Sequence, residues 1–277
     1  MNNGIVLMFD DGYFKYARLC INSIKDNYPK HPEILVFYDG NDPKKIAFLK
    51  RKNNLRIMHY EPNYEKSIGL KMKGLNLGIA DNYKVFFKYL LWTDVFSAYD
   101  NLLHLDADTM VLKPLDQLFK TNEFFAVDNG YDFLFNQHMA KSPKLMRMLR
   151  EDKIEYVDQK IQMMNAGVFM IPKRYRNGKQ LTRLLELTKR YNRHMRFGDQ
   201  SGISLWCHVN DISFNQLFQY NFAGYYYTNL IENFDYSNIH VFHFSAGWKP
   251  DGPIYKTAYY ISKQFLHLHA KVQKYLR

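Results

Sequence analysis

Two carboxylates one residue apart, Asp106 and Asp108, follow the apolar run Leu102-Leu-His-Leu105. In extended backbone, side chains at i and i+2 point to the same side. Two acids at the carboxyl end of a strand can therefore share one hard divalent cation, with phosphate oxygens taking other positions. Turns are also rich in Asp, so an Asp-x-Asp triplet arises easily by chance and alone reads more readily as an ordinary turn. The apolar Met110-Val-Leu112 ahead of Pro114 makes the setting a strand, a turn and a second strand. Further on, His243 stands in the apolar run Val241–Phe244 and by itself reads as a core histidine. Lys249, beside Pro250, by itself reads as a solvated lysine, and Asp199 as the N-cap of a helix over Ser201–Trp206.

These residues need a scaffold that delivers them, and the pattern of the chain supplies one. Ile5–Phe9 is a short apolar run that meets the turn Asp10-Asp11-Gly12. Phe14–Asn27 carries Tyr16, Ala17, Cys20, Ile21 and Ile24 at helical spacing. Ile34–Tyr38 is a second strand, a helix follows from about Pro43 to Arg51, and a strand lies around Ile57–Tyr60. Residues 62–82, with Gly69, Gly74 and Gly78, read as a long irregular loop. Tyr83–Phe96 reads as a helix burying Phe86, Phe87, Leu90, Leu91 and Val95. Phe124–Val127 and Val168–Ile171 are further strands, and Gln180–Tyr191 is an amphipathic helix. Strands alternating with helices imply an α/β fold whose mostly parallel central sheet is covered on both faces. Ligands bind such sheets beyond the carboxyl ends of the strands. No Pro/Ser/Gly linker divides the chain, so a single domain over residues 1–277 is expected.

Composition limits the classes. A hydrophobic share of 47% supports a sizeable core and excludes wholesale disorder. The formal net charge of +11 favours anionic partners, whether nucleic acid, anionic lipid or a phosphorylated small molecule. Cys20 and Cys207 have neither zinc-type spacing nor the makings of a disulfide framework, which suits a reducing, cytoplasmic setting. The first residues lack the pattern of a secretory signal, and no apolar run is long enough to span a membrane. The tail, Tyr255–Arg277, is basic, with Phe265, Leu268, Val272 and Leu276 as a helical stripe. Such a helix packs on the domain or lies at an anionic membrane surface.

Six segments, in order, resemble the glycogenin-like retaining glycosyltransferases of family 8. They are Ile5–Tyr13, Phe87–Trp92, His104–Phe119, Asn165–Pro172, Gly198–Gln200 and His243–Pro250, and the resemblance spans about residues 4–250. It implies a GT-A type nucleotide-sugar-binding fold, with a nucleotide-sugar half over 1–110, an acceptor half over 111–250 and a basic C-terminal helix over 255–277. It implies transfer of a hexose, glucose or galactose, from a UDP-sugar with retention of configuration. Asp106, Asp108 and His243 become metal ligands, and an imidazole beside two carboxylates tilts the ion from Mg²⁺ toward Mn²⁺. Lys249 and Gly247 are placed at the diphosphate. Asp199, Gln200 and Lys88 are placed at the donor sugar, and Asn165 with Gly167 on the acceptor side. Met8, Asp10, Tyr13 and Ala107 complete the nucleotide site. The family turn carries a Thr and an Asn where this chain has Phe9-Asp10, and Gly247-Trp248 departs from the family's closing segment. The glycan, protein or lipid acceptor is not specified, and a homodimer and peripheral membrane contact through the C-terminal helix are compatible with the resemblance.

Three other readings compete. A sugar nucleotidyltransferase expects a Gly-rich basic loop after the first strand, whereas Asp10-Asp11-Gly12 is acidic. A nucleic-acid-binding module lacks a zinc spacing or RNA-binding signature, so no nucleic acid is expected. Self-glycosylation needs an acceptor tyrosine, for which Tyr225-Tyr-Tyr227 is the candidate.

Overall fold

A computed structural model of the chain describes residues 1–58, 83–133, 142–155, 162–213, 217–223, 236–245, 249–250 and 263–276. The Gly-bearing stretch 62–82, the Tyr225–Tyr227 triplet and Gly247-Trp248 lie outside these residues. The elements, in chain order, are β1 (Asn3–Asp10), α1 (Phe14–Asn27), β2 (Glu33–Asp39), α2 (Pro43–Lys50), β3 (Leu55–Met58), β4 (Asn101–Leu105) and β5 (Thr109–Val111). They continue with β6 (Phe125–Phe133), α3 (Pro143–Glu151), β7 (Gln162–Pro172), α4 (Gly178–Tyr191), α5 (Gly198–His208), β8 (Phe222–Ala223), β9 (Val241–His243) and α6 (Lys263–Leu276). The central sheet runs in the order β3-β2-β1-β4-β7-β6 and is mostly parallel, as the alternating pattern predicts. A smaller sheet has the order β5-β9-β8.

Backbone contacts divide the chain into two compact units that interleave in sequence. One holds Met1, Tyr60–Leu102 and Glu123–Gln216; the other holds Asn2–His59, Leu103–Asn122 and Leu217–Arg277.

In the second of these, β1 pairs in parallel with β2 (Ile5 opposite Ile34, Phe9 opposite Tyr38), and β2 pairs in parallel with β3. Ile5, Val6 and Leu7 are fully buried, which explains why β1 reads as an unbroken apolar run rather than an alternating one. Helix α1 buries Tyr16, Ala17, Leu19, Cys20, Ile21, Ser23 and Ile24. Two of its polar residues hold β5 in place. Ser23 Oγ accepts from Val111 N at 2.9 Å, and Asn27 Nδ2 donates to Val111 O at 3.0 Å. Helix α6 adds Val272 and Tyr275 to a core with Leu19, Met110, Phe222, Phe242 and Phe244. Tyr275 Oη meets Asn27 Nδ2 at 3.0 Å, and Lys274 pairs with Asp26. The last turns of the basic tail thus pack on their own fold. Among the described residues, no helix is long and apolar enough to cross a membrane.

In the first unit, β6 pairs antiparallel with β7, and α4 and α5 carry the buried Leu184, Tyr191, Leu205 and Trp206. The segment read as one helix over Tyr83–Phe96 is instead 3₁₀, over Tyr83–Trp92 and again over Asp94–Phe96. A 3₁₀ turn repeats every three residues. That period stacks Phe86, Tyr89 and Trp92 on one face, and all three are fully buried. Their rings touch edge-on at 5.4 Å and 6.3 Å, and Trp92 meets Trp206 at 5.2 Å. Phe87, Leu90 and Leu91 are buried as expected, whereas Val95 is only partly so. The aromatic period of three, in residues with modest α-helix propensity, accounts for the tighter helix.

Candidate active site

Strand β4 is buried along its whole length and releases the chain at Asp106, whose side chain is 27% exposed. Asp106 O accepts from Thr109 N at 3.1 Å and from Thr109 Oγ1 at 2.8 Å, which closes the turn into β5. The acids therefore stand on a turn rather than on one extended strand. Strand β9 pairs antiparallel with β5, with Thr109 opposite His243, and Phe244 N donates to Asp108 O at 2.9 Å. This pairing brings the imidazole to the acids. His243 Nε2 lies 3.5 Å from Asp108 Oδ1 and 3.8 Å from Asp106 Oδ2, and ligand atoms of all three residues fall within 4.8 Å of one another. His243 Nδ1 lies 3.0 Å from the side-chain amide oxygen Oδ1 of the buried Asn221, which can only accept, so Nδ1 donates there and the Nε2 edge of the ring faces the acids. Two carboxylate oxygens and one such nitrogen fit a divalent ion that accepts both oxygen and imidazole.

Lys249 brings a cation to the same place, pairing with Asp108. Burial pushes the Asp108 pKa up, but the hydrogen bond and charge of His243 and the charge of Lys249 outweigh it and hold the carboxyl below its usual range. Burial likewise favours neutral Lys249, but Asp108 opposite it raises its pKa above the usual lysine value. The Lys249 ammonium lies 5.3 Å from the centre of the Tyr13 ring and 5.8 Å from that of Tyr16. Tyr13 is 44% exposed, a large aromatic surface beside a cationic site. Asp10 Oδ1 accepts from Gly12 N at 3.0 Å and Tyr13 N at 3.2 Å, so its carboxylate shapes the turn that presents this ring. Met8 is half-buried on β1, and Ala107 is buried between the two acids.

The other unit gathers the remaining predicted residues into a second cluster. Lys88 Nζ lies 3.1 Å from Asp199 Oδ2 and donates to Ala166 O at 3.2 Å. Gln200 Oε1 accepts from Ala166 N at 3.0 Å, and Asn165 Oδ1 accepts from Gly167 N at 2.9 Å. The cause is a break in the β6–β7 ladder. Ala126 pairs with Phe169 but Val127 pairs with Asn165, so residues 166–168 bulge out of register. A bulge frees backbone groups that must find other partners, and Lys88, Gln200 and Asn165 take them. Asp199 is not the N-cap; Phe197 is, and Asp199 sits in the first turn of α5, where a carboxylate suits the helix dipole.

Two buried contacts were not legible as site residues. His104 counts in the sequence as part of an apolar run, and Asn221 stands outside every motif. For Asn221 the available signal is a polar residue directly before the apolar Phe222-Ala223.

A family model described as glycosyl transferase family 8 matches residues 4–250. Among solved structures, the galactosyltransferase LgtC in complex with donor and acceptor sugar analogues is 19% identical, covers 96% of this chain and 95% of its own, and superposes with a TM-score of 0.63. An active-site mutant of LgtC gives 20% identity over the same shares and a TM-score of 0.68. Mouse xyloside xylosyltransferase 1, in its apo form, gives 12% identity, 88% of this chain, 97% of its own and a TM-score of 0.55. No curated protein matches the chain. At these identities the solved structures establish the shared fold.

Proposed function

The chain belongs to glycosyl transferase family 8 and is a retaining glycosyltransferase, and from that premise we propose that it moves a hexose from a UDP-sugar to an acceptor in a Mn²⁺-dependent reaction. The observation that carries this reading is the convergence of Asp106, Asp108 and His243 on one point, with the Lys249 ammonium beside it. Breaking a sugar–phosphate bond leaves charge on the departing nucleotide diphosphate. A divalent ion held by the three ligands supplies Lewis-acid stabilisation of that charge, and Lys249 adds a fixed cation where it develops. Tyr13 offers its exposed face to the base, with Asp10 and Met8 beside it on the strand end. We assign Lys88, Asp199 and Gln200 to the donor sugar, where the Asp199 carboxylate stabilises positive charge at the anomeric carbon, and Asn165 to the acceptor side.

Galactose and glucose are the proposed donor sugars; that LgtC is a galactosyltransferase supports the first. Two buried free thiols suit a cytoplasmic enzyme. Because Val272 and Tyr275 are packed inside, membrane contact by the last turns of α6 would use its basic side chains rather than these two. The test is a panel of nucleotide-sugars incubated with the protein and Mn²⁺, reading released UDP and transferred sugar. Turnover of a UDP-hexose that stops with chelator supports the reading. Turnover unchanged by chelator defeats the metal assignment, and pyrophosphate released from UTP and a sugar phosphate would point to a nucleotidyltransferase instead.

A further inference from the structure

Strand β4 is buried at all five positions, yet one of them is His104, which is 0% exposed. A buried imidazole is costly unless hydrogen-bonded. Its Nε2 lies 3.0 Å from Asp106 Oδ1. An ionised carboxylate can only accept, so the imidazole donates. Residues 104 and 106 are two apart where the strand ends, so their side chains leave on the same side. The hydrogen bond occupies one carboxylate oxygen. The other, Oδ2, is the oxygen that lies toward His243 Nε2, at 3.8 Å.

We infer that His104 is a positioning residue of the metal centre: it holds Asp106 Oδ1 so that Asp106 meets the ion through Oδ2 alone. The inference rests on the metal reading above and goes beyond the three ligands. A leucine in β4 would be buried at less cost, so the polar residue stands at the position that reaches Asp106. Without it the carboxylate rotates about its last bond, both oxygens compete for the ion, and the ligand set loses its fixed geometry. Hydrogen bonds of this outer kind typically support metal affinity by about 10- to 100-fold.

The test measures Mn²⁺ binding directly, by isothermal titration of the full chain with Mn²⁺ alone. The variants are His104→Leu, which removes the donor, and His104→Gln, whose amide nitrogen reaches nearly the same place. His104→Leu is expected to bind Mn²⁺ at least about 10-fold more weakly, and His104→Gln within about threefold of wild type. Metal-free melting temperatures of the variants identify any general loss of structure. Equal binding by His104→Leu and wild type overturns the inference. So does an equal loss in both folded variants, which would mean packing rather than the hydrogen bond. Should His104→Leu not fold, a 10-fold loss in His104→Gln overturns the inference and near-wild-type binding supports it. Absence of Mn²⁺ binding by wild type itself defeats the metal reading, and this inference with it, which separates that failure from the others.

Discussion

Asp108 is where the electrostatics of the site concentrate. Its carboxyl is buried, which favours the neutral form, yet His243 and Lys249 hold it ionised and depress its pKa. A depressed folded-state pKa contributes stability above the unfolded value of about 3.9 and loses it as pH falls through the folded value. Asp108→Asn removes that pH-dependent part. In metal-free protein, the stability difference between wild type and Asp108→Asn is therefore expected to change as pH falls below about 4, to the disadvantage of wild type. A difference that stays constant from neutral pH into that range would show that Asp108 is not held as described. With donor and Mn²⁺, Asp108→Asn should lose about 100-fold or more in turnover. If, as proposed, the Lys249 cation acts on charge that develops during the reaction, Lys249→Met should lose a comparable factor in kcat. Lys249→Met should nevertheless still bind Mn²⁺ in a direct titration, since Lys249 is no ligand. Lost Mn²⁺ binding in that variant would reassign the lysine to assembling the site.

At the scale of elements, strand pairing does the positioning. The β5–β9 ladder sets His243 against the Asp106–Asp108 turn, and α1 fixes β5 through Ser23 and Asn27. The β7 bulge does the same for Lys88 and Gln200. Arg176 plays a purely structural part: it is buried and donates to the carbonyls of Phe96, Tyr99 and Asp100, which end the 3₁₀ segment ahead of β4. Burial lowers its pKa to about 10, so it stays charged at neutral pH. Arg176→Met is expected to cost about 2–3 kcal/mol in urea unfolding, the scale of hydrogen bonds made by a charged group. A cost below about 0.5 kcal/mol would mean that water replaces it. Much of this level was readable in the sequence, because buried parallel strands leave unbroken apolar runs such as Ile5–Phe9 and the acids follow one of them. The 3₁₀ segment was not, since Phe86, Phe87, Leu90 and Leu91 also fit a 3.6-residue period. The ladder break in β7 was hidden too: a bulge is a matter of register between two strands, and one strand's sequence does not record it. His104 and Asn221 were missed for a related reason. Each is defined by its partner, and β4 brings one beside Asp106 while the start of β8 brings the other beside His243.

For the whole molecule, the mixed α/β fold agrees with what alternating strands and helices predict, and the net charge of +11 suits the proposed anionic donor. The two thiols bear on the molecule as a unit. Burial pushes Cys20 up to about 12 and Cys207 well above its ordinary value. Neither should form the thiolate that reacts. A thiol reagent at neutral pH is expected to label neither cysteine in the native protein and both after unfolding; labelling of native protein would mean that the fold opens readily at one of these helices. The central claim, that Asp106, Asp108 and His243 hold the ion that binds the donor, is tested most directly by titrating UDP into the protein with and without Mn²⁺, for wild type and His243→Ala. Wild type should bind UDP at least about 10-fold more tightly with Mn²⁺, and His243→Ala should lose most of that gain. UDP binding that is the same with and without Mn²⁺ in wild type would contradict the claim.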